Sequence, residues 1–274
     1  MHYRRGENII APFYTVLGAI NRGKYDLKSK IFSIGEDDFA GWQRLERENL
    51  TMVMVIDVSN STYPYVKVFA DILSNLTEYF KMTKQDRIGL ISLQGTQAKV
   101  MNHPTFNYRI VTGNLLKLKV HGETPLADGL LKARAMVRLE QYRKPGSKNL
   151  VMLLSDCYPE PLTGLYEDLF DEPAYRDAIR AAALFRKERI SLLVINPTFG
   201  RTDDQKLSPG ERLAQRIVQE GGGKLITLQR ARGTMDDAYA APSGAEIRMI
   251  IHGIEEMFGK TDTMGSNLHM LQNR

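Results

Sequence analysis

The stretch "MVMVIDVSNSTYPYV", residues 52–66, ends an apolar run at Asp57 and then sets hydroxyls at every second position, Ser59 and Ser61. Alone, such a D-x-S-x-S also makes a tight turn, because Asp and Ser side chains bond to nearby backbone. A second carboxylate, Asp156, closes another apolar run in "LVMLLSDCYPE", residues 150–160. A third segment, "HGETPLADGL", residues 121–130, offers a fifth oxygen ligand, Thr124, just ahead of Pro125. A helix N-cap is the ordinary use for a Thr placed there. If the three segments meet, however, two carboxylates come close together and repel unless a cation lies between them. Carboxylates and neutral hydroxyls suit a hard divalent ion, Mg²⁺ or Mn²⁺, rather than zinc, which prefers His and Cys.

Such a meeting needs strands that end at one rim. Short apolar runs recur as "TMVMVI" (51–56), "IGLISL" (88–93), "LVMLL" (150–154), "ISLLVI" (190–195) and "LITL" (225–228). They lack polar alternation, as parallel strands covered on both faces do. "QAKVM" (97–101) follows the second run closely and reads as an antiparallel edge hairpin.

Amphipathic stripes separate the runs: Phe69, Ile72, Leu73, Leu76 and Phe80; Leu126, Leu130, Ala133 and Val137; Ala174, Ala178, Ala181 and Phe185. Ser208-Pro209-Gly210-Glu211 is a capping box, and Gly221 to Gly223 end its helix. Ser243 to Glu246 repeats the capping pattern. The alternation predicts an α/β fold: a doubly wound, Rossmann-like, mostly parallel sheet with helices on both faces. In such sheets ligands bind at the carboxyl ends of the strands, where Asp57 and Asp156 stand.

Residues 1–48 read as an N-terminal extension packed on the domain, 49–260 as the domain, and 261–274 as a flexible tail. Within the extension, Ile9 to Ile20 reads as a helix and "KIFSI" (30–34) as a strand. Arg4 and Arg5 precede an apolar stretch, but Glu7, Asn8 and Pro12 make it a poor export signal. No run reaches the roughly twenty apolar residues of a membrane span. A single cysteine, Cys157, fits a reducing compartment, and the expected location is cytoplasmic. The net charge of +5 is dispersed, without a basic block interleaved with aromatics, so nucleic-acid binding has no support.

Taken together, the pieces resemble the metal-ion-dependent adhesion site of von Willebrand factor type A domains. That site has D-x-S-x-S after the first strand, a Thr in a G-x-T-P-L-x-x-G loop, and an Asp after the fourth strand. Asp57, Ser59, Ser61, Thr124 and Asp156 match all five positions. Within the superfamily, "GETPLADGLLKA" most resembles the D subunit of magnesium chelatase, which inserts Mg²⁺ into protoporphyrin with an AAA+ ATPase subunit. The likeness runs over roughly residues 8 to 228.

The resemblance implies a non-catalytic, metal-dependent protein-interaction module. Its ion would keep one open position for a carboxylate supplied by a protein partner, an AAA+ ATPase, in metal insertion or remodelling. The alternative is a stand-alone binding domain for an unrelated acidic ligand. The family usually has Gly at Asn60 and Cys157, Met at Thr62 and a small residue at Glu123. Asn60 and Cys157 suggest loops that need no positive φ there. Cys157 reads as a packed, unreactive thiol, and Glu123 as a solvated loop charge. The 274 residues carry neither the AAA+-like domain nor the acidic, proline-rich linker of that subunit.

Enzyme motifs are sparse. "GIEEMFGKT" (253–261) misses the spacing of a phosphate-binding loop, and its Gly-Lys-Thr closes a helix. Asp57 could serve as a phosphoryl-accepting nucleophile, but the second carboxylate of D-x-D-x-T is replaced by Ser59.

Overall fold

A computed structural model of the chain describes residues 9–10, 12–23, 25–26, 31–32, 34, 41–42, 49–59, 62, 69, 71–72, 74–76, 86–118, 122–199, 207–230 and 244–258. The chain forms two compact units, Met1–Glu48 and Asn49–Arg274.

In the smaller unit, Ile9–Ile10 pairs antiparallel with Gly41–Trp42, and Tyr25–Asp26 with Ile31–Phe32. The helix expected from Ile9 begins at Pro12 and runs to Asn21, so Ile9 and Ile10 are strand instead. Proline fixes a helical φ at the first turn, where its missing N–H costs nothing, and it pushes the chain before it to extended geometry.

The larger unit is built on six strands: β1 (Leu50–Asp57), β2 (Arg87–Leu93), β3 (Lys99–Thr105), β4 (Lys148–Leu154), β5 (Ser191–Phe199) and β6 (Lys224–Arg230). Their order is β6-β5-β4-β1-β2-β3. All neighbours are parallel except β2 and β3, which pair antiparallel with a register irregularity. The expected edge hairpin is therefore present, and it extends through Pro104, which an edge strand tolerates.

Every residue of β1 is buried, because its two faces feed two cores. Met52, Met54 and Ile56 pack with Phe69, Ile72, Leu76, Ile250 and Ile254. Val53 and Val55 pack with Leu130, Ala133, Val137, Ala178 and Phe185. This is why the run shows no polar alternation.

The unit also carries helices α1 (Tyr108–Leu115), α2 (Leu126–Arg143), α3 (Pro173–Lys187), α4 (Pro209–Gly221) and α5 (Gly244–Phe258), and residues 69, 71–72 and 74–76 are helical too. The Ser208 box forms as read: its side chain accepts from Glu211 N, Glu211 bonds back to Ser208 N, and Gly222 ends α4 at φ +67. Helix α1 was not foreseen; Thr112 and Gly113 dilute its propensity, and burial of Tyr108, Val111 and Leu115 sustains it. Leu73, Phe80, Ser243 and the tail 261–274 lie outside the described residues. Among the described residues, no helix is long and apolar enough to cross a membrane.

Candidate metal-binding rim

Strands β1 and β4 lie side by side, with β2 and β3 beyond one and β5 and β6 beyond the other. The chain order reverses between them, which opens a crevice at their carboxyl ends. Asp57 is the last residue of β1, and Asp156 lies just past Leu154, the last of β4. Leu154 pairs with Ile56, so the two carboxylates leave neighbouring strands at one level. Asp57 is fully buried and Asp156 nearly so.

The loop after β1 holds Asp57 tightly. Its Oδ1 accepts Ser59 N at 3.0 Å, and its Oδ2 accepts Ser155 Oγ at 2.6 Å. Thr62 Oγ1 lies 3.1 Å from the Asp57 carbonyl and 3.0 Å from the Ser59 carbonyl. Ser155 is itself fixed: its Oγ accepts Cys157 N at 2.8 Å and its carbonyl accepts Asn196 Nδ2 at 3.0 Å. Burial pushes the Asp57 carboxyl above the usual range, and hydrogen bonds from Ser155, Ser59 and Thr62 pull it back. Reading the sequence missed Ser155, Thr62 and Asn196. Only the hydroxyl directly before Asp156 offered a signal, since a strand-end Ser beside β1 can reach a carboxylate there.

Thr124 is not an N-cap. Helix α2 begins at Leu126 with Pro125 in the capping position and no side-chain cap. The Thr124 carbonyl accepts Leu126 N at 2.8 Å and Glu160 N at 3.0 Å. Its hydroxyl is buried and has no hydrogen-bond partner among the described residues. The preceding Gly122 has φ +75, and a Cβ there would lie 2.7 Å from Gly95 Cα. Glycine is thus required twice over in the loop that delivers Thr124.

Glu123, expected as a solvated loop charge, is partly exposed, with its Oε2 buried and without a partner among the described residues. Cys157 does adopt a positive φ, +59, where the resemblance had a Gly and the replacement suggested no such need. The Cys157 thiol is fully buried, and burial, with Asp156 and Asp57 nearby, pushes its pKa up. Ser61 and Asn60 lie outside the described residues.

Among the described residues, no group of three or more His, Cys, Asp or Glu is placed to hold a metal. The candidate set has two carboxylates and relies on hydroxyls for the rest. Thr124 supports the fit, since a buried hydroxyl left unpaired costs about 1–3 kcal/mol, which a bound cation would offset.

Residues 52–158 match the von Willebrand factor type A domain family. The six-stranded, mostly parallel sheet has the fold of that family, whose members are typically protein-interaction modules that often bind divalent metals. Among solved structures, the chain is similar to the vWF domain of the type V pili tip protein Mfa5 from Porphyromonas gingivalis. The TM-score is 0.57 at 12% identity, covering 78% of this chain and 97% of that one. The conserved hypothetical protein BatB from Bacteroides thetaiotaomicron gives 0.53 at 15% identity, over 76% and 98% of the two chains. At such identities the likeness establishes the fold alone. An uncharacterized protein of Mycobacterium tuberculosis is 30% identical over 133 residues, 46% of this chain, and that match spans 21% of the relative.

Proposed function

We propose that the domain is a metal-dependent protein-binding module of the cytoplasm. Asp57, Ser59, Ser61, Thr124 and Asp156 would hold Mg²⁺ or Mn²⁺, leaving a position for a carboxylate from the partner. The observation that carries this reading is the buried Thr124 hydroxyl, which has no partner among the described residues, on a loop bonded to the segment that follows Asp156. When bound, the ion supplies positive charge that neutralises two carboxylates and makes the partner contact charge-assisted. Ser155 and Thr62 hold Asp57 in place, and the Gly122 turn directs Thr124.

The likeness of "GETPLADGLLKA" to the D subunit of magnesium chelatase supports a ring-forming AAA+ ATPase as the partner, with metal insertion or remodelling as the outcome. Co-purification from the source cell tests both parts. The expected result is capture of an AAA+ ATPase that chelator abolishes, Mg²⁺ restores, and Asp57→Ala prevents from being restored. Capture indifferent to chelator and to the substitution would overturn the metal rim as the binding surface. Metal-dependent capture of other proteins, with no ATPase, would overturn the partner.

A further inference from the structure

Past Asp156 the chain runs through residues 157–172 without a long helix or strand, yet this loop is tied to the rim at one point and braced internally at two. Glu160 N donates to the Thr124 carbonyl at 3.0 Å, joining the loop to the rim. Thr163 donates through its N–H (2.7 Å) and its hydroxyl (3.1 Å) to Oε1 of the buried Glu172. Asp168 caps the turn Leu169–Asp171 by accepting Phe170 N at 3.0 Å.

The loop turns large apolar side chains to solvent. Leu165 is 105% exposed, Leu162 59%, Tyr166 45% and Tyr158 36%. Scattered apolar side chains on a surface are ordinary, but four of them fall within nine residues of one braced loop, and concentrations of exposed apolar side chains mark interaction sites. The charges between them share one sign. Glu160, Glu167, Asp168 and Asp171 are exposed, and residues 157–172 contain no Lys or Arg, in a chain whose net charge is +5.

We infer that the loop 158–171 is a docking surface for a protein partner whose contact patch sets apolar side chains beside Lys or Arg. Leu162, Leu165 and Tyr166 would supply the buried contact, and the four acidic side chains the selection by charge. Because the loop is already anchored, it loses little conformational freedom on docking. The inference deepens the proposed function, on which it rests only for the adjoining acidic contact at the metal. The partner then presents a carboxylate to the rim and a basic, apolar patch to the loop.

Random twelve-residue peptides displayed on phage, selected on the full chain in Mg²⁺ and separately in chelator, test this. Selected peptides should combine Lys or Arg with Leu, Ile or Phe. They should bind the variant Leu162→Ser/Leu165→Ser/Tyr166→Ser at least about tenfold more weakly. The three replaced side chains are exposed, so the variant should melt with the wild type; Glu160→Gln/Glu167→Gln, which should weaken binding and its salt dependence together, is the second probe. Loop-dependent binding that persists in chelator supports the docking surface even if the metal reading fails. Acidic binders, binders indifferent to both variants, or no binders would overturn it.

Discussion

Both oxygens of Asp57 already accept hydrogen bonds, from Ser59 N and Ser155 Oγ, so the carboxylate is oriented without a cation. The motif residues were legible because types and spacing alone carry them. Ser155 was not, because it bonds Asp57 from a distant segment that only the fold brings near, and Thr62 was not, because it acts mainly on backbone carbonyls of its own loop. Cys157 shows the converse: its identity suggested relaxed backbone, yet it sits at φ +59, held by its N–H to Ser155 Oγ. Its buried thiol, with its pKa raised, should be inert, because the thiolate is the reactive form. Native protein should label with a thiol reagent at least about a hundredfold more slowly than protein unfolded in denaturant. Comparable rates would contradict that burial.

At the scale of elements, the rim depends on how α2 and its leading loop are seated. Gly122 needs both its φ of +75 and the room that a Cβ would take from Gly95. Gly122→Ala should therefore cost about 2 kcal/mol or more. Gly146, with φ +91 but nothing within 4 Å of a Cβ, should lose less on the same change. Chemical denaturation of both variants checks this, and equal losses would remove the close approach as a cause.

Helix α2 is tied to the end of α3 by Arg134, whose Nε donates to Glu188 Oε2 at 2.8 Å and whose second arm bonds Oε1. The hydrogen bond from Arg134, with its charge, lowers the Glu188 pKa. Stability from this pair is thus full above the unfolded Glu value of about 4.3 and lost as pH falls through the lower folded value. Glu188→Gln should cost about 0.5–1 kcal/mol at neutral pH, with the gap to wild type closing in acid. A gap that stays constant from neutral to acid pH would show that the pair is not its source. The pairing was hidden in the sequence because its partners come from different helices. The helices themselves were visible from their apolar stripes or, for α4, from its capping box and closing glycines, apart from α1, whose Thr and Gly obscured it.

Across the whole molecule, the parallel sheet was legible because each inner strand is apolar on both faces, which the two cores flanking β1 explain. Strand order was not contained in that pattern. It brings Asp57 and Asp156 together by placing β4 beside β1, and it builds the rim on which the proposed function depends. The buried hydroxyl of Thr124, without a partner among the described residues, makes a crossing prediction for the stability of the entire domain. The decisive measurement is the unfolding free energy of wild type and Thr124→Val, each with and without excess Mn²⁺. Without metal the isosteric Val should be more stable by about 1 kcal/mol, because an unpaired buried hydroxyl is gone. With Mn²⁺ the order should reverse, since binding to the native state stabilises wild type and much less the variant. A variant that is weaker without metal and gains as much from Mn²⁺ as wild type would contradict the assignment of Thr124, and with it the metal-binding rim.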